Sequence, residues 1–114
     1  MTDPADHATS DAPSFDVEVA ADGARTVLAL RGELDAYTVA RLAEEIVNLG
    51  DMAGRHVILD LGAVGFVDSA GLSSLVAGIT AVRDGGGAVS IRAVSPQLRK
   101  LFEITGLTRM VTLE

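Results

Sequence analysis

The stretch HVILDLGAVGFVDSAGLSSL, residues 56–75, decides the fold. Its first seven residues, His56 to Gly62, form a near-continuous apolar run. Such a run suits a strand buried on both faces of a parallel sheet. From Ser69 the period changes. Leu72, Leu75, Val76, Ile79 and Val82 recur at spacings of three and four, one apolar stripe along a helix. Gly62-Ala63-Val64-Gly65 reads as a loop between them, and Phe66-Val67 leads straight into Asp68, Ser69 and Gly71. A buried strand running into an amphipathic helix is half of a β-α-β unit.

The flanking segments extend the alternation. Upstream, Phe15, Val17 and Val19 alternate with Asp16 and Glu18, a strand buried on one side from residue 14. Asp22-Gly23 is a hairpin turn signal, and residues 26–31, TVLALR, form a second and more central strand. Asp35 or Thr38 can cap a helix carrying Val39, Leu42, Ile46 and Leu49, which Gly50 closes. Downstream, Asp84 to Gly87 end the long helix, and AVSIRAV, residues 88–94, is a further strand. Ser95-Pro96 starts a short helix: Ser caps it, and Pro fits a first turn where its missing N–H costs nothing. Gly106 closes that helix, and RMVTL, residues 109–113, reads as a last strand. The order β-β-α-β-α-β-α-β predicts an α/β domain with a mixed, mostly parallel sheet and helices packed against it. Only the first strand runs antiparallel to its neighbour.

Composition narrows the function. The 114 residues fit one domain, with residues 1–13 a polar, flexible N-terminal tail and residues 14–114 the folded unit. The net charge of −7 repels a nucleic-acid backbone and an anionic membrane surface. Aromatics are only 4 % of the chain, too few for base-stacking platforms. There is no Cys, no signal peptide and no apolar run of membrane-spanning length, so a cytoplasmic location is expected. The only histidines are His7, in the tail, and His56, at a strand start. No metal-ligand spacing, phosphate loop or nucleophile elbow is present, so neither an enzyme nor a bound cofactor or metal is expected.

The junction at 66–71 remains. Capping alone accounts for much of it: Asp68 or Ser69 accepts first-turn N–H bonds, and Gly71 lets the chain pack closely. The junction also falls at the carboxyl edge of a parallel sheet, where α/β proteins place their sites. A phosphate on Ser69 would there meet free N–H groups and the positive end of the helix dipole. Asp35 ends the second strand at the same edge. Asp60 is expected to bond backbone N–H groups nearby.

Three blocks, GELD at 32–35, HVILDLGAVGFVDSAGLSSL at 56–75 and VSPQLRKLFEITGL at 94–107, resemble the STAS domain of anti-sigma factor antagonists. The resemblance covers about residues 14–113. It implies the STAS fold and an anti-anti-sigma factor that works by partner switching. Ser69 matches the serine phosphorylated by the anti-sigma factor, a serine kinase of the histidine-kinase-like ATPase superfamily. Asp68 matches the adjoining acid, and Asp68, Ser69, Ala70, Gly71 and Asp35 would form the partner-binding surface. A metal-dependent serine phosphatase would restore the unmodified form.

Two departures stand out. Ala70 replaces the expected Ser or Thr, leaving Ser69 the sole acceptor at its junction, with Ser73 and Ser74 one turn further on. The family usually adds a helix after the last strand, and none is expected in the sequence up to Glu114. One sheet face is then left to the tail, to a dimer or to solvent, and a monomer or weak dimer is expected. Alternative readings keep the fold as a stressosome scaffold or a lipid-transport accessory subunit. A flavodoxin-like enzyme or nucleotide binder rests on the carboxyl-edge loops alone.

Overall fold

The computed structural model describes residues 15–114, so the expected tail lies outside the described residues. Five strands and three helices follow in the expected order. They are β1 (Phe15–Asp22), β2 (Arg25–Leu34), α1 (Val39–Asn48), β3 (His56–Val67), α2 (Ser69–Asp84), β4 (Ala88–Arg92), α3 (Pro96–Thr105) and β5 (Thr112–Leu113). The sheet order is β1-β2-β3-β4-β5. Only β1 and β2 pair antiparallel, through the Asp22↔Arg25 hairpin; the other three pairs are parallel. The α/β class and the mostly parallel sheet are thus as the alternation requires.

The central strand is longer than its sequence suggested. Gly62 to Gly65 are not a loop but part of β3, which runs for 12 residues. The apolar pattern breaks because the ladder with β2 carries two irregularities. Ala29 pairs with Asp60 but Arg31 with Ala63, and Gly32 pairs with Val64 but Glu33 with Phe66. At each step β3 holds one extra residue, a β-bulge that bends and twists the strand. Gly62 suits the first bulge, since a β-carbon there would come within 3.2 Å of both the Ala93 β-carbon and Asp60 Oδ1. The last two strands are shorter than expected. β4 stops at Arg92 because Ala93 turns left-handed, at φ 62°. A 3-10 turn over Leu107–Arg109 takes up the chain that would have lengthened β5.

The helices α1 and α2 share one face of the sheet. Leu28 and Leu30 of β2, Leu59 and Leu61 of β3 and Ile91 of β4 join one core cluster with Leu42, Ile46, Leu75 and Ile79. Burying such a side chain contributes about 1.5–3 kcal/mol, so this stripe fixes α2 firmly on the strand that precedes it. Leu98 and Phe102 of α3 complete the cluster.

The opposite face carries no helix among the described residues. Strand alternation places Val27 and Ile58 there, outside the main cluster, yet they are 8 % and 0 % exposed. A network of charged side chains spans the same face. Arg92, on β4, comes within 3.9 Å of Asp22, at the end of β1, so the two must meet above the intervening strands. Arg25 bonds Asp22 at 3.0 Å and approaches Glu114 at 3.6 Å, and Arg92 approaches Glu114 at 3.8 Å. Arginine stems can lie over apolar surface while their heads stay in a charge network, and Arg25 and Arg92 are placed on this face to cover Val27 and Ile58 in that way.

Candidate functional site at the carboxyl edge of the sheet

The carboxyl ends of β2 and β3 are joined through one backbone atom. The Asp68 N–H donates to the carbonyl oxygen of Leu34 at 3.2 Å. Leu34 is fully buried, so its side chain anchors this atom in the core. The same carbonyl leaves no room at Gly71, where a β-carbon would stand 2.0 Å from it. Gly71 is thus required by a close approach between the first turn of α2 and the end of β2.

Capping falls to Asp68 and not to Ser69. Asp68 is extended, at φ −95° and ψ −172°, and its Oδ1 accepts the Gly71 N–H at 2.8 Å. Its carbonyl accepts the Leu72 N–H at 2.8 Å, the first bond of the helix. Ser69 is therefore the first helical residue, and its hydroxyl is left exposed with no hydrogen bond among the described residues. The N–H groups of Ser69 and Ala70 likewise have no acceptor among the described residues. The helix end thus keeps two donors and the positive end of its dipole beside an exposed hydroxyl. Ala70 is half-buried and Gly71 buried, so small residues surround that hydroxyl.

Asp35 sits at the same edge, one residue past Leu34, but it is not the cap of α1. It is 8 % exposed and closes a turn: Oδ1 accepts the Tyr37 N–H at 2.9 Å. Thr38 occupies the cap position of α1, but its side chain makes no capping bond to that helix. Its hydroxyl instead donates to the Glu33 carbonyl at 2.7 Å and accepts the Asp35 N–H at 2.9 Å. Asp35 thus shapes the loop instead of offering a free carboxylate. Asp60 does as expected, its Oδ1 accepting the Gly62 N–H at 2.9 Å at the first bulge.

Two residues that the sequence did not single out flank this edge. Tyr37, in the loop braced by Asp35, is 85 % exposed, and Phe66, two residues before Asp68, is 49 % exposed. Their signal was present, since these are two of only four aromatics in the chain and both adjoin the junction motifs. Elsewhere, His56 Nε2 lies 2.8 Å from Ser90 Oγ, but Ser90 is 4 % exposed and no described carboxylate bonds the ring. That pair lacks the orienting acid and the accessible nucleophile of a hydrolytic triad.

Comparison with known proteins gives a consistent picture. The family model described as "Mlab, STAS domain" matches residues 17–112. The chain is similar to the anti-sigma-B factor antagonist of Staphylococcus aureus, 37 % identical over 76 residues, covering 67 % of this chain and 70 % of that one. Among solved structures it resembles an anti-sigma factor antagonist from Mycobacterium paratuberculosis. That match has a TM-score of 0.76 and 27 % identity, covering 88 % of this chain and 85 % of the other. The fold is also that of the Bacillus cell fate determinant SpoIIAA in its phosphorylated form. There the TM-score is 0.62 and the identity 22 %, covering 89 % of this chain and 91 % of that one.

Proposed function

We propose that this chain, which belongs to the STAS domain family, is an anti-sigma factor antagonist that binds its anti-sigma factor through the edge around Ser69 and lets go when Ser69 is phosphorylated. The role follows the names of its relatives in Staphylococcus and Mycobacterium. The observation that carries the switch is the placement of Ser69. It is exposed, it is the first residue of a helix anchored in the core, and two unused N–H groups stand beside it.

The physics of such a switch is local. A phosphate adds about −1.5 to −2 charge at pH 7. Within this chain the free amides and the helix dipole tolerate it, and the cap bond from Gly71 to Asp68 need not break. A partner surface fitted to a neutral hydroxyl would instead face that charge next to Asp68. Mismatched charge at an interface costs on the order of several kcal/mol. Each 1.4 kcal/mol is about tenfold in affinity, so release by about a hundredfold or more needs no change of fold. In this reading the anti-sigma factor is itself the serine kinase, of the histidine-kinase-like ATPase superfamily, and a metal-dependent serine phosphatase resets the switch.

The test compares Ser69→Ala with Ser69→Glu in binding to the purified anti-sigma factor, with ATP incubation and mass-spectrometric mapping of the modified site. Ser69→Ala should bind and remain unmodified, and Ser69→Glu should bind weakly. Equal binding of both variants would remove the switch and leave a scaffold or accessory subunit as the better reading.

A further inference from the structure

The far end of α2 opens onto a second feature. A cleft of about 300 Å³ lies between the end of α2 and the starts of β4 and β5, lined by Arg83, Gly87, Val89, Arg109, Val111 and Thr112 among others. Arg83 and Arg109 both line this cleft, in a chain of net charge −7. Neither has a carboxylate within 4.0 Å among the described residues, although Arg25, Arg41 and Arg92 each do. Arg55 is also engaged, by Thr26 Oγ1 and the carbonyls of Leu49 and Asp51. Arg31 and Arg99 also lack a carboxylate within that distance among the described residues, but only Arg83 and Arg109 line one cleft together.

We propose that this cleft binds an anion bearing two linked phosphate groups, held by Arg83 and Arg109. The planar fork of Arg matches phosphate oxygens in pairs, where a single ammonium would act only as a point charge. The volume is at the low end for ligand pockets, about 300–1,000 Å³, and suits a diphosphate better than a bulky molecule. The negative end of the α2 dipole does not oppose the ligand strongly, because its last carbonyls are already engaged. Those of Ala81, Val82 and Arg83 accept the N–H groups of Gly85, Gly87 and Gly86 at 3.1, 2.9 and 3.0 Å. Gly87 is held tightly here, since a β-carbon would meet the carbonyl oxygens of Met52 and Arg55 and the Val82 side chain within 3.0 Å. The wall of the cleft is therefore fixed before any ligand arrives. The 16 residues of α2, at about 1.5 Å each, put it a helix length from Ser69, so the site does not depend on the partner switch.

The experiment is a titration of the 15N-labelled full chain with sodium pyrophosphate, followed by amide chemical shifts, with chloride holding ionic strength constant. Parallel arms use sodium phosphate and ADP, which separate an inorganic diphosphate from one carried on a nucleoside. Saturable shifts at Gly87, Val89, Val111 and Thr112 are expected with pyrophosphate or ADP, and weaker ones with phosphate. Arg83→Gln and Arg109→Gln should each weaken binding by about tenfold, the loss of one charge-assisted contact. Both residues are exposed, so the variants keep the fold. Shifts that never saturate, or that persist in the double variant, overturn the site. Loss of the shifts in Ser69→Ala would also overturn it, by moving the ligand to the other end of the helix.

Discussion

The carbonyl oxygen of Leu34 lies 2.0 Å from the point where a β-carbon on Gly71 would stand. The same oxygen accepts the Asp68 N–H. One buried atom therefore sets both the start of α2 and its distance from β2, and with them the position of Ser69.

Gly71→Ala should be among the most damaging single-methyl changes in the chain. The clash is with backbone, which cannot rotate away, and overpacking of this kind costs about 1–3 kcal/mol or more. Gly65→Ala is the control: nothing lies within 4 Å of its β-carbon position and its φ is not left-handed. Urea unfolding of both variants should show a large loss for the first and a change within about 0.5 kcal/mol for the second.

Asp68→Ala removes the cap bond to the Gly71 N–H. The expected loss is about 1 kcal/mol, and Asp68→Asn or Asp68→Ser should restore most of it. A thermal melt of the three variants separates the capping role from any part Asp68 plays in partner binding, because Asn keeps the cap and drops the charge.

Tyr37 and Phe66 bear on the proposed interface. Exposed aromatics beside a docking site are the usual anchors of binding energy. Tyr37→Ser should leave stability within about 0.5 kcal/mol yet weaken binding to the anti-sigma factor by more than about 1 kcal/mol, near fivefold. Phosphorylation-independent affinity measured by calorimetry on the Ser69→Ala background is the readout. Unchanged affinity would place the interface elsewhere on this edge.

The arginine network on the face of Ile58 gives a separable effect. Its ion pairs are partly exposed and mostly long, so the charges themselves are worth about 0–1 kcal/mol. Covering Ile58 and Val27 should matter more. Arg92→Met keeps an apolar stem and should stay close to the native stability, whereas Arg92→Ala removes that stem and should lose more. Chemical denaturation at low and high salt distinguishes the two contributions, since only the charge part is screened.

Much of this was legible in the sequence because period and punctuation agreed. The Leu72–Val82 stripe, the Ser95-Pro96 start and the Asp22-Gly23 turn each became the expected element. Ser95 Oγ caps α3 by accepting the Leu98 N–H at 3.2 Å. The passage from Gly62 to Gly65 was misread because two glycines and a broken alternation look like a loop, while a bulged strand leaves the same trace. Asp35 was legible in place, but it is not the cap of α1. Its carboxylate is engaged by the Tyr37 N–H, and no local spacing rule distinguishes such a turn from a helix cap. That Gly71 allows a close approach was legible, but not what approaches it: the Leu34 carbonyl lies 37 residues away in the chain.

The two bulges in β3 also divide the strand by how readily it opens. Residues 57–60 lie in an unbroken ladder between β2 and β4, while Ala63 to Val67 pair with β2 alone, across both irregularities. Amide protons in the first half should exchange with solvent near the rate of global unfolding, and those in the second half through small local openings. The strand that delivers Asp68 and Ser69 is thus slow-breathing at its root and yielding at its tip. A partner settling on that tip would register first as slowed deuterium uptake from Ala63 to Val67, before any contact with the helix itself is resolved.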